Sequence, residues 1–249
     1  MTAELDLWGE AGVEATFWWR DDDATAPSPA LDRLLALQRR YGTPLALAVV
    51  PRYPAPALAE RLAAHDPAGA RVVVLQHGYA HQNHAGEGEK AIELGAHRPA
   101  AHVVAELAVG RENLSAFPGA LPILVPPWNR IAPHLLPLLP ELGFSGLSTF
   151  GARASAEPVP GLGQTNTHID PVDWRGSRGF LGAALDMAVT HLGSRRQGLV
   201  DAAEPTGLLT HHLDHDATTW EFIETLLAIA TEHPAARWLG AGEAFGFGS

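Results

Sequence analysis

The sequence predicts an α/β protein with a parallel sheet, either doubly wound or closed into a barrel. Short apolar runs typical of strands alternate about seven times with helix-like segments, and such alternation places neighbouring strands in parallel. No internal repeat or linker interrupts the 249 residues. We therefore expect one domain over residues 1–249, built around a single core.

The predicted strands are apolar, β-branched or aromatic runs that end at polar or turn-forming residues. They cover residues 15–19, 45–50, 72–75, 121–125, 147–150, 164–169 and 207–209. The predicted helices carry apolar residues three and four positions apart, and they cover 28–42, 57–64, a segment from 99, 134–142, 177–195 and a segment from 218. Ser28-Pro29 is a good helix start, and Gly42 ends the same helix.

Polar clusters that hold carboxylates, imidazoles or amides follow five of the predicted strands. They are Asp21–Asp23, His77–His84, Pro126–Asn129, Asp170–Trp174 and His211–His215. The carboxyl ends of parallel strands meet at one rim of a barrel, so these side chains should converge there. A surface location explains each cluster separately, but it does not explain why all of them follow strands.

The segment after the third predicted strand reads HGYAHQNH, from His77 to His84. His77 and His81 are four positions apart, so one turn of helix would aim both imidazoles at the same point. The chain has 13 histidines, so roughly one such pair is expected by chance, and His211/His215 is a second. The pair alone is a weak signal, and its meaning depends on the other clusters.

Composition excludes several classes of function. The net charge of −11 and the lack of Lys/Arg clusters argue against a nucleic-acid partner. With no cysteine, a metal must bind to His, Asp or Glu. Nucleotide-binding glycine loops and a serine-hydrolase GxSxG motif are absent. The acidic start has no secretion pattern and no run reaches membrane-spanning length, which favours a cytoplasmic protein.

The clusters contain the groups that a metal-dependent hydrolase needs. One Asp and two His, with water completing the shell, form a reasonable open site for Zn²⁺ or another divalent ion. Such an ion acidifies its water and polarises a carbonyl group. A second carboxylate can then be the general base, and a histidine from another strand the general acid. We therefore expect metal-assisted hydrolysis of an amide or ester.

The five clusters resemble the five motifs of the NodB-type polysaccharide deacetylases, carbohydrate esterase family 4. The family's T-F-D-D resembles residues 19–23, and its H-[ST]-x-x-H resembles 77–81, with Gly78 in place of Ser or Thr. Its D-x-x-D-W is matched by 170–174 and its L-x-H by 209–211. The resemblance implies a distorted (β/α) barrel of about seven strands. It also implies removal of N-acetyl groups from amino sugars with one divalent ion, most simply zinc.

The resemblance assigns roles to single residues. It implies Asp22 as general base, His211 as general acid and Asp173 as the group that tunes the pKa of His211. It implies Asp23, His77 and His81 as metal ligands, and it places Tyr79, Pro127, Trp128 and Trp174 at the substrate. A second register, with Asp21 as base and Asp22 as ligand, stays open. The later pair is preferred because a small residue, Ala24, follows it as Gly does in the family.

One departure from the family pattern concerns the third motif, which normally begins with an Arg that tethers the base. Val125 holds that place here, before Pro126-Pro127-Trp128. Arg130 or Arg20 is the candidate substitute. The missing Arg motivates one rival hypothesis, a catalytically impaired carbohydrate-binding barrel. Another is a related hydrolase that cleaves a C–N amide bond in a substrate other than a sugar.

The segment 85–97 is polar and broken by glycines, so we expect a loop over the site. A loop directly after the metal histidines can close over a small ligand and exclude water. The expected substrate is therefore a small or precursor amino sugar rather than a polymer.

Overall fold

The computed structural model describes residues 1–52, 56–174 and 180–247. Its strands are β1 Ala15–Ala24, β2 Leu45–Val49, β3 Val72–His77, β4 Ala120–Val125, β5 Gly146–Leu147, β6 Gly163–Gln164, β7 Thr206–Thr210 and β8 Ala236–Trp238. Its helices are α1 Thr2–Glu10, α2 Pro29–Tyr41, α3 Pro56–His65, α4 Ala100–Leu114, α5 Phe180–Arg196, α6 Ala217–Glu232 and α7 Ala241–Ala244. Short 3₁₀ turns cover Pro127–Asn129, Pro133–Leu138 and Pro140–Leu142.

All of the strands pair in parallel within one sheet, in the order β6-β5-β4-β3-β2-β1-β7, and β8 pairs with the start of β1. After β6 the chain makes isolated bridges on both sides, Phe150 with Thr167 and Ile169 with Leu208. The sheet therefore curls into a distorted barrel, which confirms the predicted fold class. The predicted strands 147–150 and 164–169 shrink to two-residue ladders and bridges at the distorted side.

Side-chain alternation along β1 separates the inside of the barrel from its outer layer. Trp18 lies inside, among small and β-branched residues of the neighbouring strands. Trp19 lies outside, under α2 and α6. The same alternation sends Arg20 and Asp22 inward and Asp21 outward. Three consecutive charged residues are thus divided between two environments.

The aspartates lie within β1 rather than after it, which corrects the prediction. Pairing with β2 and β7 on either side extends the strand to Ala24. The register with β2 shifts between Asp21 and Ala24, and Asp23 adopts a left-handed φ of 70°. This bulge turns the Asp23 side chain toward the end of β3.

The predicted helical turn between His77 and His81 is also wrong. His77 is the last residue of β3, and the chain then bends through left-handed Gly78 (φ 52°) and His81 (φ 53°). The two imidazoles converge through this turn, so their four-residue spacing has another cause than helical periodicity.

Elements near both termini were not predicted. Helix α1 lies in the acidic start, and β8 and α7 follow α6. Helix α6 begins at Ala217, one residue before the predicted start at 218, and its cap is Asp216, whose side chain accepts a hydrogen bond from the Thr219 backbone N–H. The predicted start of α5 near residue 177 lies outside the described residues. Within the described ranges, no helix combines the length and apolarity that a membrane span needs.

Candidate functional site

Asp23, His77 and His81 form a group that fits a metal ion at the carboxyl end of β1 and β3. The Asp23 Oδ1 atom lies 3.0 Å from His77 Nε2 and 3.1 Å from His81 Nε2. His77 is buried, whereas Asp23 and His81 are partly open to the barrel mouth. One carboxylate and two imidazoles are a common ligand set for zinc and related divalent ions.

The protonation of His77 shows that this group suits a cation. His77 Nδ1 lies 3.0 Å from the Val125 carbonyl oxygen, which can only accept, so Nδ1 carries the proton. In the neutral ring, Nε2 therefore points its lone pair at Asp23. The Asp23 Oδ1 atom is itself buried without a hydrogen-bond donor. Two electron pairs that face each other are stabilised by a cation between them, so the residues fit a divalent ion.

The pKa values of the three groups reflect the same arrangement. Burial would raise the pKa of Asp23, but the neighbouring His77 and His81 outweigh burial and hold the pKa well below its usual range. Burial would lower the pKa of His77, but the Asp22 and Asp23 carboxylates outweigh it and raise the pKa. Burial lowers the pKa of His81 despite the charge of Asp23.

Asp22 is paired with Arg20, two residues earlier on the same strand. Arg20 Nε donates to Asp22 Oδ1 at 2.8 Å and Nη2 donates to Oδ2 at 3.0 Å, a two-bond contact between buried groups. The remaining guanidinium donors reach Ser148 Oγ (2.6 Å), the Thr149 carbonyl oxygen (3.4 Å) and Asn129 Oδ1 (2.7 Å). All five N–H groups of Arg20 are therefore used, and they fix the plane of the Asp22 carboxylate.

The sequence offered Arg20 and Arg130 as substitutes for the arginine of the third motif, and Arg20 is the one that pairs with Asp22. Arg130 instead donates to the Ala91 carbonyl oxygen at 2.8 Å. The guanidinium that the third motif lacks at Val125 is supplied by β1 itself.

Asp21 lies on the other side of β1, fully buried and outside both the cavity lining and the Asp23, His77 and His81 group. It accepts hydrogen bonds from Thr210 Oγ1 at 2.7 Å and from the His212 N–H at 3.1 Å, and it pairs with His212 Nδ1. Its neighbours are therefore the residues after β7. This geometry favours the Asp22/Asp23 register over the Asp21/Asp22 register.

His211 follows β7 and lies across the mouth from Asp23. Its backbone N–H donates to His215 Nε2 at 3.0 Å, and its ring meets Trp174 edge-on, with 4.8 Å between ring centroids. Among the described residues, the buried Nδ1 atom of His211 has no hydrogen-bond partner. The ring is therefore placed by its backbone and by Trp174.

The carboxylate of the fourth motif that reaches the site is Asp170. Its Oδ2 accepts from Trp174 Nε1 at 2.9 Å and its Oδ1 accepts from the Val172 N–H at 3.0 Å. Burial raises the pKa of Asp170, against the opposing charge of His211. Asp173 is half-buried and does not line the cavity, so its role toward His211 stays a prediction.

These groups surround one cavity of about 580 Å³, a size typical of small-molecule sites. The described residues that line it are Asp22, Asp23, His77, His81, Trp128, Asn129, Arg130, Phe150, Asp170, Trp174, His211 and Asp214. The structure thus brings together the predicted base, acid, three ligands, Trp128 and Trp174. Tyr79 and Pro127 lie outside this lining. Asn129 and Asp214 belong to predicted clusters but were given no role, and Phe150, at the end of a predicted strand, was not expected at the site.

Trp128 and Asn129 reach the cavity through two consecutive left-handed residues, with φ of 55° and 57°. This turn brings the Trp128 ring to 4.4 Å from the His81 ring and the Asn129 amide oxygen to Arg20. Left-handed bulky residues cost about 1–3 kcal/mol each and persist where surrounding contacts hold them. The strain therefore coincides with two contacts to the site.

The loop 85–97 does not line the cavity. The His84 N–H donates to the Ile92 carbonyl oxygen, and Leu94 bridges to Ile131. Glu93 is fully buried and accepts from the Tyr79 and Ala80 backbone N–H groups. The segment supports the turn between His77 and His81 through Glu93, where the sequence predicted a cover over the ligand.

Gly78 lies in the turn between His77 and His81, at the position where the NodB-type motif has Ser or Thr. A Cβ atom there would lie 2.1 Å from Glu93 Oε2 and 2.5 Å from Pro127 Cδ, and the φ of 52° already disfavours a side chain. We expect Gly78→Ser to lower the free energy of unfolding by about 2–4 kcal/mol, through overlap and backbone strain together. Urea unfolding of the wild-type protein and the variant measures this loss of free energy.

Gly88→Ser is the matched control, because Gly88 has a φ of 78° with nothing within 4 Å of the added atom. It carries the backbone strain without the overlap. Equal losses in both variants would show that Glu93 and Pro127 do not restrict Gly78.

A second group of potential ligands, His168, His191 and Glu204, is buried outside the cavity. His168 Nδ1 accepts from the Gly207 N–H at 3.0 Å, so the proton of its neutral ring is on Nε2 and no lone pair faces Glu204. The two imidazoles are stacked, with centroids 3.5 Å apart and planes at 17°. Lone pairs of stacked rings run side by side and do not meet at one ion. We assign no metal to this group.

The stacked pair predicts a sensitivity to acid. Burial, with the charges of His168 and Arg195, lowers the pKa of His191 to about 3. In the unfolded chain His191 binds a proton near pH 6.5, whereas in the folded protein it stays neutral down to about pH 3. The free energy of unfolding therefore decreases as the pH falls from 6.5 toward 3, by up to about 1.4 kcal/mol per pH unit. We expect His191→Gln to lose less stability between pH 7.5 and 5.5 in urea unfolding. An identical pH slope in both proteins would contradict this.

No family model and no curated protein sequence matches the chain. Solved structures do. A candidate polysaccharide deacetylase from Mycobacterium smegmatis is 17% identical, with a TM-score of 0.66, over 94% of this chain and 90% of that one. A family 4 carbohydrate esterase from Streptomyces lividans, in complex with acetate, is 17% identical, with a TM-score of 0.53, over 87% of each chain.

A third similar structure is a family 4 acetyl xylan esterase from Clostridium thermocellum, in complex with a cobalt ion. It is 13% identical, with a TM-score of 0.57, over 93% of this chain and 90% of that one. These comparisons confirm, at the level of the fold, the resemblance to the NodB-type deacetylases that the motifs predicted.

Proposed function

We propose that this protein is a metal-dependent hydrolase that removes an N-acetyl group from an amino sugar or an amino-sugar precursor. The observation that carries the proposal is the single cavity in which an Asp/His₂ group, a carboxylate held by Arg20, and His211 face one another. The fold shared with carbohydrate esterases and deacetylases supports the same class of reaction.

Asp23, His77 and His81 are the residues that would hold the ion. A divalent ion bound there would polarise the acetyl carbonyl group and acidify a water molecule. The Val125 carbonyl keeps the His77 proton on Nδ1 and so keeps Nε2 free for the ion.

Asp22 is proposed as the general base. The guanidinium of Arg20 occupies one lone pair on each of its oxygens and leaves the others facing the cavity. It orients the carboxylate toward an attacking water, from which Asp22 would take a proton.

His211 is proposed as the general acid. It lies across the cavity from Asp22, with Trp174 against its ring and Asp170 nearby. From this place it would donate a proton to the amine nitrogen as the C–N bond breaks. Asp173 is retained from the family pattern as the residue that tunes His211.

Exposed apolar side chains at the cavity suit the faces of a sugar. Phe150 is 42% exposed and Trp174 is 57% exposed, and both line the mouth beside Trp128. Aromatic rings bury apolar ligand faces there and leave polar edges free for hydrogen bonds. The preference for a small precursor over a polymer stays a prediction without support from the loop 85–97, and so does a cytoplasmic location.

The test combines metal analysis with a product assay. We expect one divalent ion per chain by elemental analysis, acetate release from an N-acetylated amino sugar, loss of activity with a chelator, and recovery with Zn²⁺. Acetate release from a monosaccharide derivative and from chitin oligomers would then be compared. Bound metal with release only from a different N-acyl amine would favour the related amide hydrolase. Absence of both metal and product would favour a binding barrel.

A further inference from the structure

Two buried polar residues behind the cavity are not used by the proposed reaction. Asp21 is fully buried and His212 is 1% exposed. Asp21 lies on β1, in register with Thr210 of the parallel strand β7, and His212 follows the end of β7 by two residues. Burial of a carboxylate and an imidazole costs free energy unless both are paired, so the presence of both groups behind the cavity calls for an explanation.

The contacts of Asp21 all go to the two residues that flank His211. On one side, Thr210 Oγ1 donates to Asp21 Oδ2 at 2.7 Å and itself accepts from Trp19 Nε1 at 2.9 Å. On the other side, the His212 backbone N–H donates to the same oxygen at 3.1 Å, and His212 Nδ1 pairs with Oδ1. One carboxylate therefore ties down the chain immediately before and immediately after His211.

Apart from the edge-on contact with Trp174, the ring of His211 is oriented through its backbone, so the support of the flanking residues matters. Its ring Nδ1 has no hydrogen-bond partner among the described residues, and its backbone N–H is held by His215 Nε2. Asp21 points away from the cavity, so it does not touch a substrate.

We propose that Asp21, with His212 as its partner, is a positioning residue that fixes His211 for proton donation. The proposal rests on the proposed function, because it takes His211 as the acid. It predicts an effect on turnover rather than on substrate binding or metal binding, since neither the cavity lining nor the ligand set includes Asp21.

The test compares removal of two buried carboxylates. Asp21→Ala should lower kcat by up to about 10²-fold, the usual effect of a displacement near 1 Å, with KM and metal content unchanged. Glu204→Ala is the matched control: Glu204 is fully buried, accepts from the Arg153 and Asn166 backbone N–H groups, and lies at the opposite end of β7 from His211. It should lose stability while kcat stays near wild type.

A conservative variant separates position from charge. In Asp21→Asn the amide oxygen can still accept from Thr210 and His212, and the amide N–H₂ can donate to His212 Nδ1 once the ring proton moves to Nε2. We expect Asp21→Asn to recover most of kcat. Should Asp21→Ala fail to fold, Thr210→Val removes one of the same bonds and should lower kcat in the same direction by less.

Three results would overturn the proposal: an unchanged kcat in Asp21→Ala and Thr210→Val, an equal fall of kcat in Glu204→Ala, or a loss of metal that accounts for the loss of activity. An inactive wild-type protein would instead refute the proposed function. In that case crystal structures of wild type and Asp21→Ala still decide the inference, since an unmoved His211 ring contradicts it.

Discussion

Replacing Asp22 by Asn should lower turnover by about 10²–10⁴-fold while the metal stays bound, because a positioned general base usually contributes that much. The amide keeps the shape of the side chain but cannot take a proton from water. The metal ligands are unaffected, since Asp23 alone of the three aspartates lies at His77 and His81. Acetate release and elemental analysis of the same sample measure the two effects.

Asp214→Asn is the control for this variant, because Asp214 is an exposed carboxylate on the same cavity. It should keep turnover near wild type and show that a lost negative charge at the mouth is not the cause. Loss of the metal from Asp22→Asn would contradict the prediction and support the Asp21/Asp22 register.

Replacing Arg20 by Met should cost both stability and activity. Asp22 is 2% exposed, so removing its guanidinium partner leaves a buried carboxylate unpaired, at a cost of about 3–5 kcal/mol. The base also loses the two bonds that set its plane, and turnover should fall with it. Arg20→Lys should fall between wild type and Arg20→Met, because an ammonium group does not reproduce the two-bond fork. Urea unfolding and acetate release measure these effects.

Arg130→Met is the matched control, since Arg130 lines the same cavity and was the other candidate tether. Its guanidinium donates to the Ala91 carbonyl oxygen, whereas Asp22 is bound by Arg20. We expect a small change in stability. A larger loss of kcat in Arg130→Met than in Arg20→Met would show that the base depends on Arg130 and not on Arg20.

Much of the site could be predicted because parallel strands bring their carboxyl ends together. Asp23 and His77 come from different strands, and their meeting follows from topology and not from a local motif. The fold class rested on the same alternation of strands and helices. Neither required knowledge of side-chain packing.

The alternation of side chains along a strand could have identified Arg20 as the partner of Asp22 from the sequence. Residues two apart on a strand point the same way, so Arg20 and Asp22 had to share a side once β1 was extended through them. Ending the predicted strand at residue 19 hid this relation. The aspartates read as a polar loop because charged residues are rarely buried, and only the full set of partners makes their burial tolerable.

Other features depend on tertiary contacts that no local pattern carries. The turn from His77 to His81 is set by left-handed residues and by buried Glu93, which lies more than ten residues later. The Gly-rich composition of 85–97 is equally compatible with a lid and with the brace that it forms. Composition describes the freedom of such a segment, not the surface on which it settles.

The placement of the base and its arginine on one strand has a consequence for inheritance. Three adjacent codons, for Arg20 to Asp22, specify the base and its charged partner together. Exchange or divergence of the segment Pro126–Asn129 therefore leaves that pair intact, and it removes from the guanidinium only the neutral oxygen of Asn129. In proteins with this arrangement the third motif, which begins at Val125, can change while Asp22 keeps Arg20 as its charged partner.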